Sequence, residues 1–243
     1  MPAYNEAATV THVVRALREH APQFDVLVVD DGSTDGSGAL GRDAGARVLR
    51  HPFNLGIGGA VQAGFHYALE NDYDYMVQVD GDGQHEPPEI KRLIEAMDSE
   101  PTLDLVCGSR FLTDNGYPAP ISRRTGIHVF AFLLSRIVGQ RVSDPTSGFR
   151  LYNRRAIALF ARDYPHDYPE VEAVLMVHYH RLRMREVPVT MRVRGDGVSS
   201  IGGSGKSVYY MLKVLLALFV GIARRRPVVE PGDDAPVAAA HGI

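Results

Sequence analysis

Apolar residues along the first half of the chain recur in two spacings, which predict helices alternating with strands. Apolar positions three and four apart between Val10 and Leu17 form one face, so this spacing predicts a helix, capped by Asn5 or Thr9. Further helices are predicted at 54–69 and 88–97. Short apolar runs rich in β-branched residues predict buried strands at 24–29, 46–49, 75–79 and 103–108.

Alternating strands and helices are typical of a mostly parallel sheet covered by helices on both faces. We therefore predict an α/β fold of the Rossmann-like kind. The second half is less regular, with a polar turn at 144–150. Helices are predicted at 127–138, from Arg154 onwards and near 170–180, and a strand at 187–193.

Composition excludes several classes of protein. The 243 residues are 45% hydrophobic and 23% charged, which fits a globular chain and excludes a collagen-like or polytopic membrane protein. A net charge of −3 supplies no basic field for nucleic acid, so no nucleic-acid partner is expected. The single cysteine, Cys107, excludes a disulfide framework and fits a reducing compartment. With no basic and apolar leader pattern at the start, we expect a cytoplasmic protein.

Charged residues follow three of the predicted strands. Asp30 and Asp31 end one strand, Asp80 follows another, and Arg110 follows a third. In open α/β sheets the carboxyl ends of the strands form the ligand crevice, so these residues predict a site at that edge. Asp35 and Asp43 are better explained as residues that cap helices.

The segment Asp80-Gly81-Asp82-Gly83-Gln84 places two carboxylates and an amide within five residues. Hard oxygen ligands at this density suit Mg²⁺ or Mn²⁺, which bind carboxylate and phosphate oxygens together. The segment lacks the frame of an EF-hand. His85, directly after it, is interpreted as a loop residue rather than a catalytic base.

Six motifs occur in order along the chain, at residues 2–6, 28–36, 54–56, 80–84, 108–110 and 144–150. Together they resemble the motifs of the family 2 glycosyltransferases of the GT-A fold. The resemblance covers residues 2 to about 215 and is greatest to dolichyl-phosphate mannose synthases and bacterial polyprenyl-phosphate glycosyltransferases.

The resemblance implies a role for each matching residue. The nucleotide-sugar would be bound by Pro2, Tyr4, Glu6, Asp30, Asp31, Asn54, Gly56 and Asp80. Mg²⁺ or Mn²⁺ on the diphosphate would be held by Asp80, Asp82 and Gln84. The catalytic set would be Asp82, Arg110, Arg194 and Glu172. In that set the arginines reach the acceptor phosphate or the leaving diphosphate. Glu172 would be a helix-borne acid near the acceptor, with Glu170 as its competitor.

The implied reaction is an inverting, metal-dependent transfer of a hexose from a GDP-mannose or UDP-glucose type of donor to a polyprenyl phosphate. Such an acceptor is already anionic, so no general base is required. Two alternatives stay open. One is an enzyme that extends a cell-surface glycan on a sugar hydroxyl, where an Asp or Glu would act as base. The other is a non-catalytic sugar-nucleotide-binding subunit of a membrane complex.

We expect a glycosyltransferase domain at 1–206, an apolar and basic helix at 207–226, and a disordered tail at 227–243. The apolar run at 208–223 is interrupted by Lys213 and is shorter than the roughly 20 residues needed to span a bilayer. It is expected to lie on a membrane surface, or else to pack on the domain or on a membrane partner protein. The helix at 127–138 is a second candidate contact. These features predict a peripheral location at the inner face of the cytoplasmic membrane.

One departure from the family concerns the start of the chain. Family members carry a hydrophobic strand immediately before the segment that matches residues 2–6, and here Met1 stands in its place. Either the start codon is misassigned or a central strand is lacking. The second case would leave neighbouring strands without ladder partners.

Overall fold

The computed structural model describes residues 1–112, 121–166 and 168–192, together with Lys213. For residues 121–124 only the backbone is described. Arg194, the helix predicted at 207–226 and the tail predicted at 227–243 lie outside the described residues, except for Lys213. The domain boundary at 206 therefore stays a prediction.

The described residues form strands in two sheets. Parallel pairing gives the first sheet the order β1-β2-β3, and the second has the order β4-β6-β5-β7. In the second sheet β6 runs antiparallel to both neighbours, and β7 pairs with β5 in parallel. The strands are β1 (Pro2–Ala3), β2 (Leu27–Asp30), β3 (Arg47–Arg50), β4 (Tyr75–Gln78), β5 (Leu105–Ser109), β6 (Arg150–Asn153) and β7 (Met184–Pro188).

Helices connect the strands, as the alternating pattern predicts. The apolar face predicted from Val10 to Leu17 is buried in α1. Thr9 is the residue at its N-cap, although the Thr9 side chain makes no capping hydrogen bond. The helices are α1 (Val10–His20), α2 (Ser37–Asp43), α3 (Gly56–Glu70), α4 (Ile90–Ser99), α5 (Ile121–Val138), α6 (Arg154–Arg162) and α7 (Pro169–Tyr179), with a 3₁₀ turn at Pro87–Glu89. The predicted α/β fold is confirmed.

The strand β6 is missing from the sequence prediction, which has a polar turn followed directly by a helix. In the structure β6 lies between β4 and β5 and joins them into one sheet. Asn153, its last residue, also caps α6 by accepting a hydrogen bond from the N–H of Ala156 at 2.9 Å. Because strand and helix share this residue, no turn signal separates them in the sequence.

The last strand is also displaced from its predicted position. We predicted it at 187–193, whereas β7 spans Met184–Pro188. Its register explains the difference: Pro188 lies opposite Ser109, where β5 ends, so the ladder has no further partner strand. Beyond it, Met191 forms only an isolated bridge with His85.

A cavity of about 430 Å³ separates the two sheets near the start of the chain. Leu27 of β2 lines one side, and Met76 and Val77 of β4 line the other. Met1 also lines the cavity, and its carbonyl oxygen accepts a hydrogen bond from Val29. The two-residue β1 therefore pairs with the carboxyl end of β2, and the cavity lies beside the amino end of β2.

Within the described part of the chain, no helix is both long and apolar enough to cross a bilayer.

Candidate functional site

The acidic loop at 80–84 packs against the start of the chain. Thr9 donates a hydrogen bond from its hydroxyl to the carbonyl oxygen of Gly81, at 2.7 Å. A β-carbon placed on Gly81 would lie 3.1 Å from the carbonyl oxygen of Pro2. Pro2 of β1 therefore lies next to the loop that follows β4, although no strand was predicted at residues 2–3.

The turn at 144–150 packs against the other side of the same loop. A β-carbon on Gly148 would lie 3.3 Å and 3.4 Å from the two carboxylate oxygens of Asp80. It would also lie 3.0 Å from Nε2 of Gln78, the last residue of β4. Glycine at this position thus lets the turn approach the acidic loop closely.

Hydrogen bonds within the loop determine its shape. The N–H of Asp80 donates to Nδ1 of His85 at 3.0 Å, and the N–H of Gln84 donates to Asp82 at 3.0 Å. His85 is buried and stacks on the ring of Phe149, with 4.9 Å between the ring centroids. His85 therefore supports the loop from the interior.

The donor set of the loop fits a divalent cation. The Asp80 side chain is 34% exposed, and Asp82 and Gln84 are half-buried. Among the described residues, no three His, Cys, Asp or Glu side chains group around one point in metal-binding geometry. Two carboxylates and one amide suit Mg²⁺ or Mn²⁺, which complete their coordination with water and substrate phosphates.

Asp31, predicted to contact the nucleotide, organises the loop before α3. Its carboxylate accepts hydrogen bonds from the N–H groups of Leu55 and Gly56, each at 2.9 Å. The same carboxylate lies 2.8 Å from Nδ1 of His51. Gly56 has a φ of 83°, in the left-handed region that favours glycine, and its N–H also donates to the side chain of Asn54.

Asp30 and the segment from Tyr4 to Glu6 form the neighbouring part of the site. Asp30 is buried, accepts a hydrogen bond from the N–H of Ser33 at 2.9 Å and lies 3.5 Å from the guanidinium of Arg50. The N–H of Glu6 donates to the hydroxyl of Ser37 at 2.8 Å. Tyr4, in contrast, is 48% exposed, so its ring is accessible to a ligand.

Arg110 is held by Asp144 through a bidentate ion pair. Nε and Nη2 of Arg110 donate to the two carboxylate oxygens of Asp144, at 2.7 Å and 2.8 Å. Nη2 also donates to the hydroxyl of Thr146 at 2.8 Å. Asp144 is fully buried and Arg110 is 7% exposed. The turn at 144–150 thus fixes the orientation of the guanidinium.

Glu186 of β7 supports this turn, and the sequence analysis missed it. Its carboxylate accepts hydrogen bonds from the N–H groups of Ser143 and Asp144, at 2.7 Å and 3.0 Å. Burial raises the pKa of this carboxyl, while these hydrogen bonds oppose the shift. The only signal in the sequence is an acid beside the apolar run that starts at Val187, and the predicted strand began one residue too late to include it.

Arg150 and Glu170 form a second polar group behind the acidic loop. Arg150 is buried in β6 and donates to the carbonyl oxygens of Ser147 and Glu170, at 2.8 Å and 2.7 Å. Burial raises the pKa of the Glu170 carboxyl, and the negative charge of Asp80 adds to the effect. Glu170 therefore lies within electrostatic reach of the loop. Glu172, the predicted acid, is half-buried in the first turn of α7.

Proteins with an open α/β fold bind their ligands in the crevice at the carboxyl ends of the strands. This protein belongs to that class, since its acidic side chains cluster at the same edge. Residues 1–160 match the sequence profile described as "Glycosyl transferase family 2". The chain belongs to this family, and it is a glycosyltransferase.

Named relatives support the assignment. The chain is 35% identical to an undecaprenyl-phosphate mannosyltransferase of Micrococcus luteus, over 84% of this chain and 86% of the relative. It is 33% identical to a polyprenol monophosphomannose synthase of Mycolicibacterium smegmatis, over 84% and 80% of the two chains. Both names agree with the branch that the motifs indicate.

The fold is shared with solved GT-A structures. Glucosyl-3-phosphoglycerate synthase from Mycobacterium tuberculosis, solved in complex with Mn²⁺, uridine diphosphate and glucosyl-3-phosphoglycerate, superposes with a TM-score of 0.69. The match covers 93% of this chain and 79% of the synthase at 20% sequence identity, so it establishes the fold. The GT-A architecture predicted from the motifs is confirmed.

Proposed function

We propose that this protein transfers a hexose from a nucleotide-sugar to a polyprenyl phosphate, with inversion and with the help of a divalent cation. The observation that carries the proposal is the contact between the acidic loop and the turn at 144–150. It brings the carboxylates that suit a metal to the turn that holds Arg110. The names of the two relatives, which specify undecaprenyl phosphate and polyprenol, support the acceptor.

Asp80 and Asp82 would hold the cation, with Gln84 as a further oxygen ligand. When bound there, the cation would neutralise negative charge that develops on the departing nucleoside diphosphate. The guanidinium of Arg110, oriented by Asp144, would interact with a phosphate oxygen of the acceptor or of the departing group. The acceptor phosphate is an anion near neutral pH, so its oxygen attacks the anomeric carbon as the bond to the diphosphate breaks. One in-line step inverts that carbon.

The nucleoside would bind beside the ends of β1 and β2. The carboxylates of Asp30 and Asp31 already accept hydrogen bonds from loop N–H groups, so we assign both residues to shaping the pocket. The open ring of Tyr4 and the exposed Asn54 would contact the base and the ribose. Pro2, Glu6 and Gly56 would form the backbone walls. Glu172 near the acceptor, and Arg194 on a phosphate, stay proposals from the family motifs.

The names of the relatives favour a mannosyl donor over a glucosyl donor. We propose GDP-mannose as the first donor to test and UDP-glucose as the second.

The protein would act at the inner face of the cytoplasmic membrane, where a polyprenyl phosphate is embedded. Val129 and Phe132 of α5 are exposed, and the guanidinium of Arg136 lies 5.0 Å from the centre of the Phe132 ring. Apolar side chains next to an arginine suit a surface of anionic lipid. We expect Phe132→Ser to reduce the fraction of protein that sediments with anionic vesicles. The control is Phe53→Ser, at an exposed site on the loop after β3, which should leave that fraction unchanged.

The test is transfer of labelled sugar from a panel of GDP- and UDP-sugars to undecaprenyl phosphate, with Mg²⁺, Mn²⁺ or EDTA. Label in the lipid phase that EDTA abolishes supports the proposal and identifies the donor. Label in an oligosaccharide acceptor instead would replace it with the glycan-extending alternative. Donor binding without turnover under every condition would favour the non-catalytic subunit.

A further inference from the structure

One carboxylate holds two successive peptide groups at the start of the turn at 144–150. Oε2 of Glu186 accepts hydrogen bonds from the N–H and from the hydroxyl of Ser143, both at 2.7 Å. Oε1 accepts a hydrogen bond from the N–H of Asp144 at 3.0 Å. Hydrogen bonds to an ionised acceptor are about twice as strong as neutral ones, so this segment is firmly attached to β7.

Asp144 links this segment to Arg110. Its side chain forms the bidentate ion pair with the guanidinium and also accepts a hydrogen bond from the backbone N–H of Arg110, at 3.2 Å. The hydroxyls of Ser109 and Ser143 lie 2.6 Å apart and link the end of β5 to the same segment. A displacement of Asp144 would therefore rotate or release the guanidinium.

Orientation matters here more than net charge. The carboxylate of Asp144 offsets the positive charge of Arg110, since both side chains are buried and in direct contact. What Arg110 can offer a phosphate is a planar guanidinium held in a fixed orientation. A misplacement of about 1 Å in a positioning contact can cost on the order of 100-fold in rate.

We propose that Glu186 is a positioning residue for Arg110. It holds Ser143 and Asp144 so that Asp144 presents the guanidinium to a phosphate group at the strand ends. This inference rests on the proposed function, which assigns Arg110 to a phosphate of the acceptor or of the donor. Glu186 itself is half-buried on β7 and acts through its neighbours.

The experiment is a double-mutant cycle with Glu186→Gln and Arg110→Lys, measured as kcat/KM for transfer to undecaprenyl phosphate. The glutamine keeps the size of the side chain but turns an NH₂ group towards one of its donors. We expect Glu186→Gln to lower kcat/KM by about 10- to 100-fold in the wild-type background. In the Arg110→Lys background we expect the same substitution to change it by less than about threefold, because the guanidinium that it positions is gone.

Binding measurements identify the phosphate concerned. A rise in KM for undecaprenyl phosphate, with unchanged affinity for the nucleoside diphosphate in the presence of Mn²⁺, supports the acceptor phosphate. The converse pattern supports the donor diphosphate. Glu100→Gln is the matched control: its carboxylate lies 3.9 Å from Arg185 on the surface, and kcat/KM should be unchanged.

Equal losses from Glu186→Gln in both backgrounds would overturn the inference, since they would show a role independent of Arg110. If Glu186→Gln does not fold, Ser143→Ala, which removes one of the three donors, is measured in the same cycle against the same criterion. A wild-type protein that transfers no sugar would refute the proposed function instead. The two failures are therefore distinguishable.

Discussion

The hydroxyl of Thr9, just before α1, donates a 2.7 Å hydrogen bond to the carbonyl oxygen of Gly81, 72 residues further along the chain. This bond joins the start of the chain to the middle of the acidic loop. We expect Thr9→Val, which keeps the shape but removes the hydroxyl, to destabilise the fold by about 1 kcal/mol. The loop should also bind Mn²⁺ more weakly. Urea unfolding and Mn²⁺ titration of activity would measure both, with Thr11→Val on α1 as control. An unchanged free energy of unfolding and an unchanged Mn²⁺ dependence for Thr9→Val would show that this hydrogen bond neither stabilises the fold nor supports the loop.

Asp82 is expected to be indispensable for turnover. Asp82→Asn removes one of the two carboxylates offered to the cation, so we expect the rate to fall by at least about 100-fold. The sugar-transfer assay would be run across a range of Mn²⁺ concentrations. Asp98→Asn, an exposed carboxylate on α4, should behave as wild type. Full activity of Asp82→Asn with EDTA present would rule out the metal role.

Two glycines near the nucleotide pocket offer a matched test of backbone geometry. Gly32 has a φ of 74°, and a β-carbon there would lie 2.8 Å from a backbone carbon of Phe53. Gly36 has a φ of 87°, but a β-carbon there would meet nothing within 4 Å. We expect Gly32→Ala to lower the free energy of unfolding by about 2–4 kcal/mol, and Gly36→Ala by only about 1 kcal/mol. Equal losses in urea unfolding would show that the close approach of Phe53 is not the cause.

Cys107 is expected to resist alkylation in the folded protein. Burial raises the pKa of its thiol to about 12, with Arg150 opposing the shift. The reactive thiolate is therefore scarce at mildly alkaline pH, and the 2% exposure of Cys107 blocks access as well. Mass spectrometry after iodoacetamide treatment should find the native protein unmodified and the guanidinium-unfolded protein fully modified. Rapid modification of native protein would contradict this expectation and show that β5 opens readily around Cys107.

The cavity between β2 and β4 is expected to accept an extended apolar segment. Joining roughly five alternating β-branched residues to Met1 should raise the free energy of unfolding by about 2 kcal/mol or more, as one or two side chains become buried. A Gly/Ser segment of the same length is the control and should leave stability unchanged. If both segments have the same effect in thermal unfolding, the cavity is not a strand position.

Several elements followed directly from local pattern. The apolar spacing from Val10 to Leu17 predicted α1, and apolar runs rich in β-branched residues predicted β2, β3, β4 and β5. The strand β1, which is only two residues long, was not predicted. The strand β6 was not predicted because it is four residues long and passes directly into α6 through Asn153. The position where β7 ends was predicted wrongly because it depends on the length of β5, an element about 80 residues earlier in the chain.

For the site, the sequence by itself determined the chemistry on offer: the acids at 80 and 82, the arginine at 110 and their places at strand ends. The tertiary structure alone decided what those groups contact. Asp31 binds loop N–H groups and His51, and Arg110 is engaged by Asp144. Glu186, which sequence spacing left outside the predicted strand, supports both Asp144 and its neighbour. The reason is physical: residue type sets charge and hydrogen-bonding capacity, whereas partners distant along the chain are chosen by strand register and by the packing of turns.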